Sequence, residues 1–288
     1  MKTTNRILSV AIAIGVIVIV LYLALGVAAP AFSGTNLLAL IASANTPTPP
    51  SGEVIPLKSI AGLNSLNATV KLDVNGKIDG KKTKGDLNAL LASNDQKKSK
   101  VTVSGSLLGP IAAQVGGSVL GLFTPSKVDL FKVPTGTYIA VNSLVPICVK
   151  PDTADAAAAL DELSPSSMMN MLTGSDVARG KFVGDEKLSN GTPVKHYVIN
   201  GDAFLAAAQK SSDPKLKEFA DALWSADDID LYVDAAGGHP VALRGNFSGA
   251  FEPLKFEGDL GVQIELTGIN TNPKVELPAS CNKPISTK

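Results

Sequence analysis

The chain has 288 residues, of which 45% are apolar, 18% charged and 5% aromatic, with 26 basic and 26 acidic side chains. Setting aside the first thirty residues removes Lys2 and Arg6 and no acid, leaving 24 basic against 26 acidic residues. A body so near neutrality, with no Lys/Arg-rich block, excludes nucleic acid as an expected partner, and its apolar content is ample for a core.

Lys2 and Arg6 precede Ile7 to Ala29, an uncharged run rich in Ile, Val, Leu and Ala. As a helix it would rise about 34 Å, enough to cross a hydrocarbon core of roughly 30 Å. Positive charge before the run and none just after it predicts the N-terminus inside and everything from Pro30 outside. Residues 1–29 are therefore expected to be a transmembrane anchor. The alternative is a cleaved signal segment, with a body secreted into the periplasm or cell envelope. Residues 30–53 include the Pro/Thr/Ser run Ser43 to Gly52 and read as a spacer. Residues 54–288 are expected to form one domain.

Period two dominates that domain. Ala68, Val70, Leu72 and Val74 alternate with Thr69, Lys71 and Asp73, and Asn75-Gly76 then supplies a turn signal. Val101, Val103 and Leu107 alternate with Thr102, Ser104 and Ser106. Val128–Val133 and Thr137–Val141 flank Pro134-Thr135-Gly136, and Lys181–Leu188 and Val194–Ile199 flank Asn190-Gly191. Ile229, Leu231 and Val233 lead through Gly237-Gly238 to Val241, Leu243 and Phe247. Leu254, Phe256, Leu260, Val262, Ile264 and Leu266 oppose Lys255, Glu257, Asp259, Gln263 and Glu265. Such alternation predicts antiparallel hairpins with one wet and one apolar face. Gly105, Gly245, Gly258 and Gly261 inside these runs suit bends in a strongly curved sheet.

Four helices are predicted: Thr153 to Leu163, Ser164 to Leu172, Ala203 to Lys210 capped by Asp202, and Lys215 to Trp224 led by Asp213-Pro214. Leu216, Phe219, Ala220 and Leu223 form the apolar stripe of the last. The fold class expected is α+β: a strongly curved antiparallel sheet, an open half-barrel, whose concave face the helices cover.

Cys148 and Cys281 are the two cysteines, and neither follows the apolar run, so lipid attachment at a processed N-terminal cysteine is excluded. In an oxidising compartment such a pair points to one disulfide that pins the C-terminal tail, the alternative being two buried thiols.

Catalytic signals are weak. His196 falls in a predicted strand and His239 in a turn; with no further histidine no zinc site is expected. Gly116-Gly117-Ser118 fails as a nucleophile elbow, and Ser212-Asp213-Pro214-Lys215 reads as a helix cap. Phosphate loops and dinucleotide fingerprints are absent from the sequence. Asp152, Asp155, Asp161 and Glu162 read as a solvated helix face. Asp227, Asp228, Asp230 and Asp234 read as a solvated strand face or a candidate weak calcium site. No catalysis, cofactor or resident metal is expected.

Soft apolar material stands out instead. Met168, Met169 and Met171 lie together on one short helix, and methionine suits surfaces that accept varied apolar partners. Leu107 to Phe123 is uncharged and glycine-rich, fit for a flap or a membrane-touching loop. Ordinary core filling is the plainer account of both. A lined apolar pocket would draw on Val70, Leu72, Leu231, Leu243, Phe256, Val262 and Ile264 from the sheet. Met168, Met169, Met171, Phe219 and Leu223 would come from the helices.

From Val54 to Leu266 the layout, with Gly174-Ser175-Asp176, His196-Tyr197-Val198-Ile199, Asp230-Leu231-Tyr232-Val233-Asp234 and Gly238-His239-Pro240-Val241 in this order, resembles the lipoprotein-carrier fold of LolA, LolB and the mycobacterial LppX/LprG lipoproteins. The resemblance implies an open half-barrel holding acyl chains between sheet and helices. LppX-type proteins carry a lipobox cysteine that this chain lacks. The expected function is extracytoplasmic, non-catalytic binding or transfer of a lipid or acylated molecule by a single-pass membrane protein. The rival expectation is an envelope scaffold or regulator working through protein contacts on the same fold.

Overall fold

The computed structural model describes residues 53–56, 65–96, 98–110, 126–142, 146–151, 177–209, 221–251 and 255–287. Val70, Leu72 and their alternating neighbours extend into two long strands, β1 (Glu53–Pro56) being a short one ahead of β2 (Leu66–Ile78) and β3 (Lys81–Ser93). The chain continues through β4 (Ser99–Ser104), β5 (Lys127–Val133), β6 (Gly136–Asn142) and β7 (Ile147–Pro151). Then come β8 (Val177–Lys187), β9 (Pro193–Ile199), helix α1 (Gly201–Gln209), β10 (Leu223–Ala226) and β11 (Ile229–Asp234). The last elements are β12 (Pro240–Phe251), β13 (Phe256–Ile269), a single 3-10 turn (Ala279–Asn282) and β14 (Ile285–Thr287).

All the strands join one open sheet in the order β1-β8-β9-β11-β12-β13-β2-β3-β4-β5-β6-β7-β14. β10 pairs with β12 ahead of β11, on the same edge of that strand. Pairing is antiparallel throughout except between β14 and β7. The N-terminal meander from β2 to β7 and the later hairpins meet where β13 runs beside β2 for thirteen register pairs. Among the described residues an open, mostly antiparallel sheet with few helices is thus present, as in a half-barrel.

The predicted hairpins at Pro134-Thr135, Asn190-Gly191 and Gly237-Gly238 are where the chain turns. The first turn differs. Asn75 and Gly76 are inside β2, and the reversal comes at Asp79-Gly80, both with positive φ (49° and 76°). A two-residue loop between paired Ile78 and Lys81 demands that geometry, and Asp-Gly supplies it as readily as Asn-Gly. Gly76 serves close approach instead: a Cβ there would lie 2.2 Å from the Glu257 carbonyl oxygen. Its register partner Gly258 (φ 150°), and Gly249 beyond it, are crowded in the same way by backbone oxygens. In a flat sheet a neighbour's carbonyl lies well to the side of any Cβ. This glycine row therefore marks a line where the sheet coils sharply toward its apolar face.

Of the predicted helices, Ala203–Lys210 corresponds to α1, which begins two residues earlier at Gly201 and takes in Asp202, the expected cap; Lys210 and residues 153–172 lie outside the described residues. Residues 215–220 of the fourth also lie outside them. Its end is corrected, because Leu223 and Trp224 belong to strand β10, with Leu223 opposite Gly249. The predicted anchor, residues 1–29, and the spacer as far as residue 52 are likewise outside the described residues, while Glu53, the spacer's last residue, opens β1. Among the described residues no helix is long and apolar enough to cross a membrane.

The largest of three buried clusters lies on the inner face of the sheet, and α1 contributes Phe204 and Leu205 to it. A second, smaller cluster lies on the other face, where Val275, Leu277 and Cys281 of the C-terminal segment pack on Phe131, Tyr138, Ala140 and Cys148. Cys148 and Cys281 form a disulfide with a Cα–Cα distance of 5.0 Å. The tail is thus stapled to β7 and continues into β14 alongside it.

Candidate functional site: the inner face of the sheet

Successive side chains of a strand point to opposite faces, so register decides which residues meet across the sheet. One row of apolar side chains can be followed through ten strands. It begins at Tyr197 on β9 and passes through Leu231, Leu243, Ile264 and Val70. From Val70 it continues through Ala89, Val103 and Val128 to Val141 on β6 and Ile147 on β7. At about 4.8 Å between strands, nine steps make an apolar band about 43 Å long, measured along the sheet. The adjoining row pairs Val262 with Leu72 and Leu72 with Leu87.

The seven sheet residues expected to line a pocket, Val70, Leu72, Leu231, Leu243, Phe256, Val262 and Ile264, all fall in this one cluster and are each at most 5% exposed. Four of them stand in the same row. Leu223 joins the cluster from β10 rather than from a helix. Met168, Met169, Met171 and Phe219 lie outside the described residues. Of the glycine-rich run, Leu107 and Leu108 are buried in the cluster, and 111–123 lie outside the described residues. Facing the sheet from α1, Phe204 meets Phe247 with ring centroids 6.1 Å apart.

Polar chemistry sits on the opposite face. His196, whose neighbour Tyr197 faces inward, lies between Glu186 Oε1 on its Nδ1 side and Asp230 Oδ1 on its Nε2 side, each at 2.8 Å. The imidazole stacks on Tyr232 (4.5 Å between centroids, 16° between planes), and the Arg244 guanidinium lies 5.0 Å from the same tyrosine ring. Burial raises the Tyr232 phenol above its ordinary value. A catalytic triad needs a nucleophile on one side of its histidine; here carboxylates occupy both, so the ladder ties β8, β9 and β11 together. Asp129, 5% exposed, binds Lys100 and Lys127 at 3.3 Å and accepts a 2.6 Å hydrogen bond from Thr102 Oγ1, bracing β4 against β5. Glu265, expected on the wet face, is only 7% exposed.

The candidate calcium cluster does not assemble. Asp227 accepts from Asn246 Nδ2, Asp228 from Asn200 Nδ2 and Gly201 N, Asp230 from His196, and Asp234 from Gly237 N. Each carboxylate is spent on a different turn or strand. Among the described residues no group of three metal-binding side chains occurs.

No family model matches the chain. No curated protein matches it either. Among solved structures it is similar to a domain from Vibrio parahaemolyticus described as an outer membrane lipoprotein-sorting protein, at 7% identity over 73% of this chain and 87% of that one, with a TM-score of 0.22. A DUF1329 family protein from Desulfovibrio piger is 6% identical over 88% of this chain and 95% of that one, TM-score 0.24. PNGF-II is 9% identical over 77% of this chain and 30% of that one, TM-score 0.23. TM-scores this low carry no argument about what the chain does.

Proposed function

We propose that the chain is a non-catalytic carrier that binds or transfers a lipid or acylated molecule on the inner face of its sheet, outside a cytoplasmic membrane. The observation that carries this reading is the unbroken apolar row across ten strands, on the same face as the seven residues chosen from their alternation alone. A hydrocarbon chain gains about 0.8 kcal/mol per buried methylene, so ten enclosed methylenes would contribute roughly 8 kcal/mol before the cost of ordering. Met168, Met169, Met171 and Phe219 are proposed to close over the ligand from the helical side. Residues 1–29 are proposed to hold the body at the membrane.

The test is extraction of the full-length chain, purified in a neutral detergent, into organic solvent, followed by mass spectrometry. Lipid present in stoichiometric amount is the expected result. Its reproducible absence, including after incubation with total lipid extract, refutes carriage and leaves the scaffold reading in its place.

A further inference from the structure

The far end of the β2–β3 hairpin gathers charge that the composition does not advertise. Lys77, Lys81, Lys82 and Lys84 are all exposed there, and Lys255 reaches the same end, where its Nζ lies 3.0 Å from Asp79. Among the described residues Asp79, Glu257 and Asp259 oppose these five bases at that end. The described patch is thus net positive by two, on a body whose 24 bases and 26 acids leave it net negative. Charge of one sign has been concentrated at one end of an otherwise acidic molecule.

A second observation lies in the same place. Trp224 is 58% exposed and lines a cleft of about 450 Å³ together with Lys77, Lys82, Lys84 and Glu257. Indole is the side chain best suited to the boundary between water and hydrocarbon, apolar in body and polar at its N–H. Lysines around an exposed tryptophan match a surface of anionic headgroups above acyl chains. The cleft also borders Gly76 and Gly258, which lie on the inner face.

We infer that this hairpin end, with Trp224, docks the domain on an anionic lipid bilayer. The inference rests on the carrier reading for its purpose: docking there would bring the end of the apolar inner face against the source of its ligand.

Trp224 is the only tryptophan of the chain, so its fluorescence reports this patch alone. The full-length chain is reconstituted in nanodiscs of phosphatidylcholine, or of phosphatidylcholine with about 30% phosphatidylglycerol, each with brominated acyl chains. Trp224 emission is expected to be quenched in the anionic discs at least about threefold more than in the neutral ones, and to recover at about 0.5 M salt. The variant K77Q/K81Q/K82Q/K84Q changes exposed side chains and should return quenching to the neutral level. The remote control K274Q/K283Q should leave it unchanged. Equal quenching in both discs, none in either, or an equal loss in the remote control overturns the inference. Lipid extraction is read separately. Retained lipid with unquenched Trp224 sinks the docking surface alone, and quenched Trp224 in a chain that never carries lipid sinks carriage alone.

Discussion

Removing the staple between Cys148 and Cys281 is the sharpest test of how the sheet's far edge is held. The double variant Cys148→Ala/Cys281→Ala opens a link between residues 133 apart in sequence. The chain-entropy relation assigns about 5 kcal/mol to closing a loop of that size. With a urea slope of roughly 2.5 kcal/mol/M for a body of this size, the unfolding midpoint should fall by roughly 2 M. That figure assumes that the tail stays folded in the native variant, as both ends must remain placed for the entropy of the unfolded chain to matter. Val275 and Leu277 in the outer cluster and the short parallel pairing of β14 with β7 are what would keep it there.

The assay is therefore double: urea unfolding followed by near-ultraviolet circular dichroism, and hydrogen exchange over residues 275–287. Protection in that segment with a large midpoint shift supports the entropic account. Loss of protection with a small shift would mean that the tail peels away before the sheet unfolds, and that the disulfide acts locally. A shift below about 0.4 M with the tail still protected refutes the reasoning, since about 1 kcal/mol cannot represent so long a loop.

Two further expectations follow from single positions. Gly76→Ala places a Cβ 2.2 Å from the Glu257 carbonyl oxygen and should cost about 3 kcal/mol or more, whereas Gly80→Ala meets nothing within 4 Å and pays only for its positive φ, about 1 kcal/mol. Thermal melts that rank the two equally would remove the argument that the sheet coils at the glycine row. Asp86 accepts hydrogen bonds from the Ser106 hydroxyl (2.6 Å) and the Ser106 backbone N–H (3.2 Å), and these hold its carboxyl below the ordinary value of 3.8. Its folded pKa being the lower one, its stabilisation is full above pH 3.8 and fades as pH falls through the folded value. The stability gap between the parent chain and Asp86→Asn should stay level from pH 7 to about 5 and shrink below about 4; a gap that is flat down to pH 2.5 contradicts the assignment.

Strands were legible where dry and wet positions alternate cleanly in the sequence. Phe256 to Leu266 alternates because Phe256, Leu260, Val262, Ile264 and Leu266 are all buried in one cluster. β3 was missed although Leu87, Ala89 and Leu91 are buried in the same cluster, because apolar Leu90 and Ala92 on its other face blur the alternation. Its first residues, Lys81 to Asp86, lie at the rim, where neither face is dry, so no apolar alternation marks them, although all pair with β2. The Asn75-Gly76 signal misled because glycine answers two demands, a positive φ in turns and the absence of a Cβ where backbones crowd. Composition does not tell these apart. Leu223 continued a helical stripe in sequence, yet it faces Gly249 in a strand whose short length offers no alternation to compete with that stripe.

The candidate site was legible in kind and not in extent. Alternation identified Val70, Leu231, Leu243 and Ile264 as inward-facing, each within its own hairpin. What alternation cannot supply is register between strands distant in sequence, and register is what turns four separate stripes into one row. Val70 meets Ile264 across nearly two hundred residues because β13 returns to β2, and that closure joins the two halves of the chain into one apolar surface. Burial at these positions itself demands apolar side chains at the nine junctions. None is broken from Tyr197 to Ile147. Such a continuous surface offers an extended hydrocarbon chain a path across the sheet, so the carrier reading rests on the register of the sheet more than on the apolarity of any single strand.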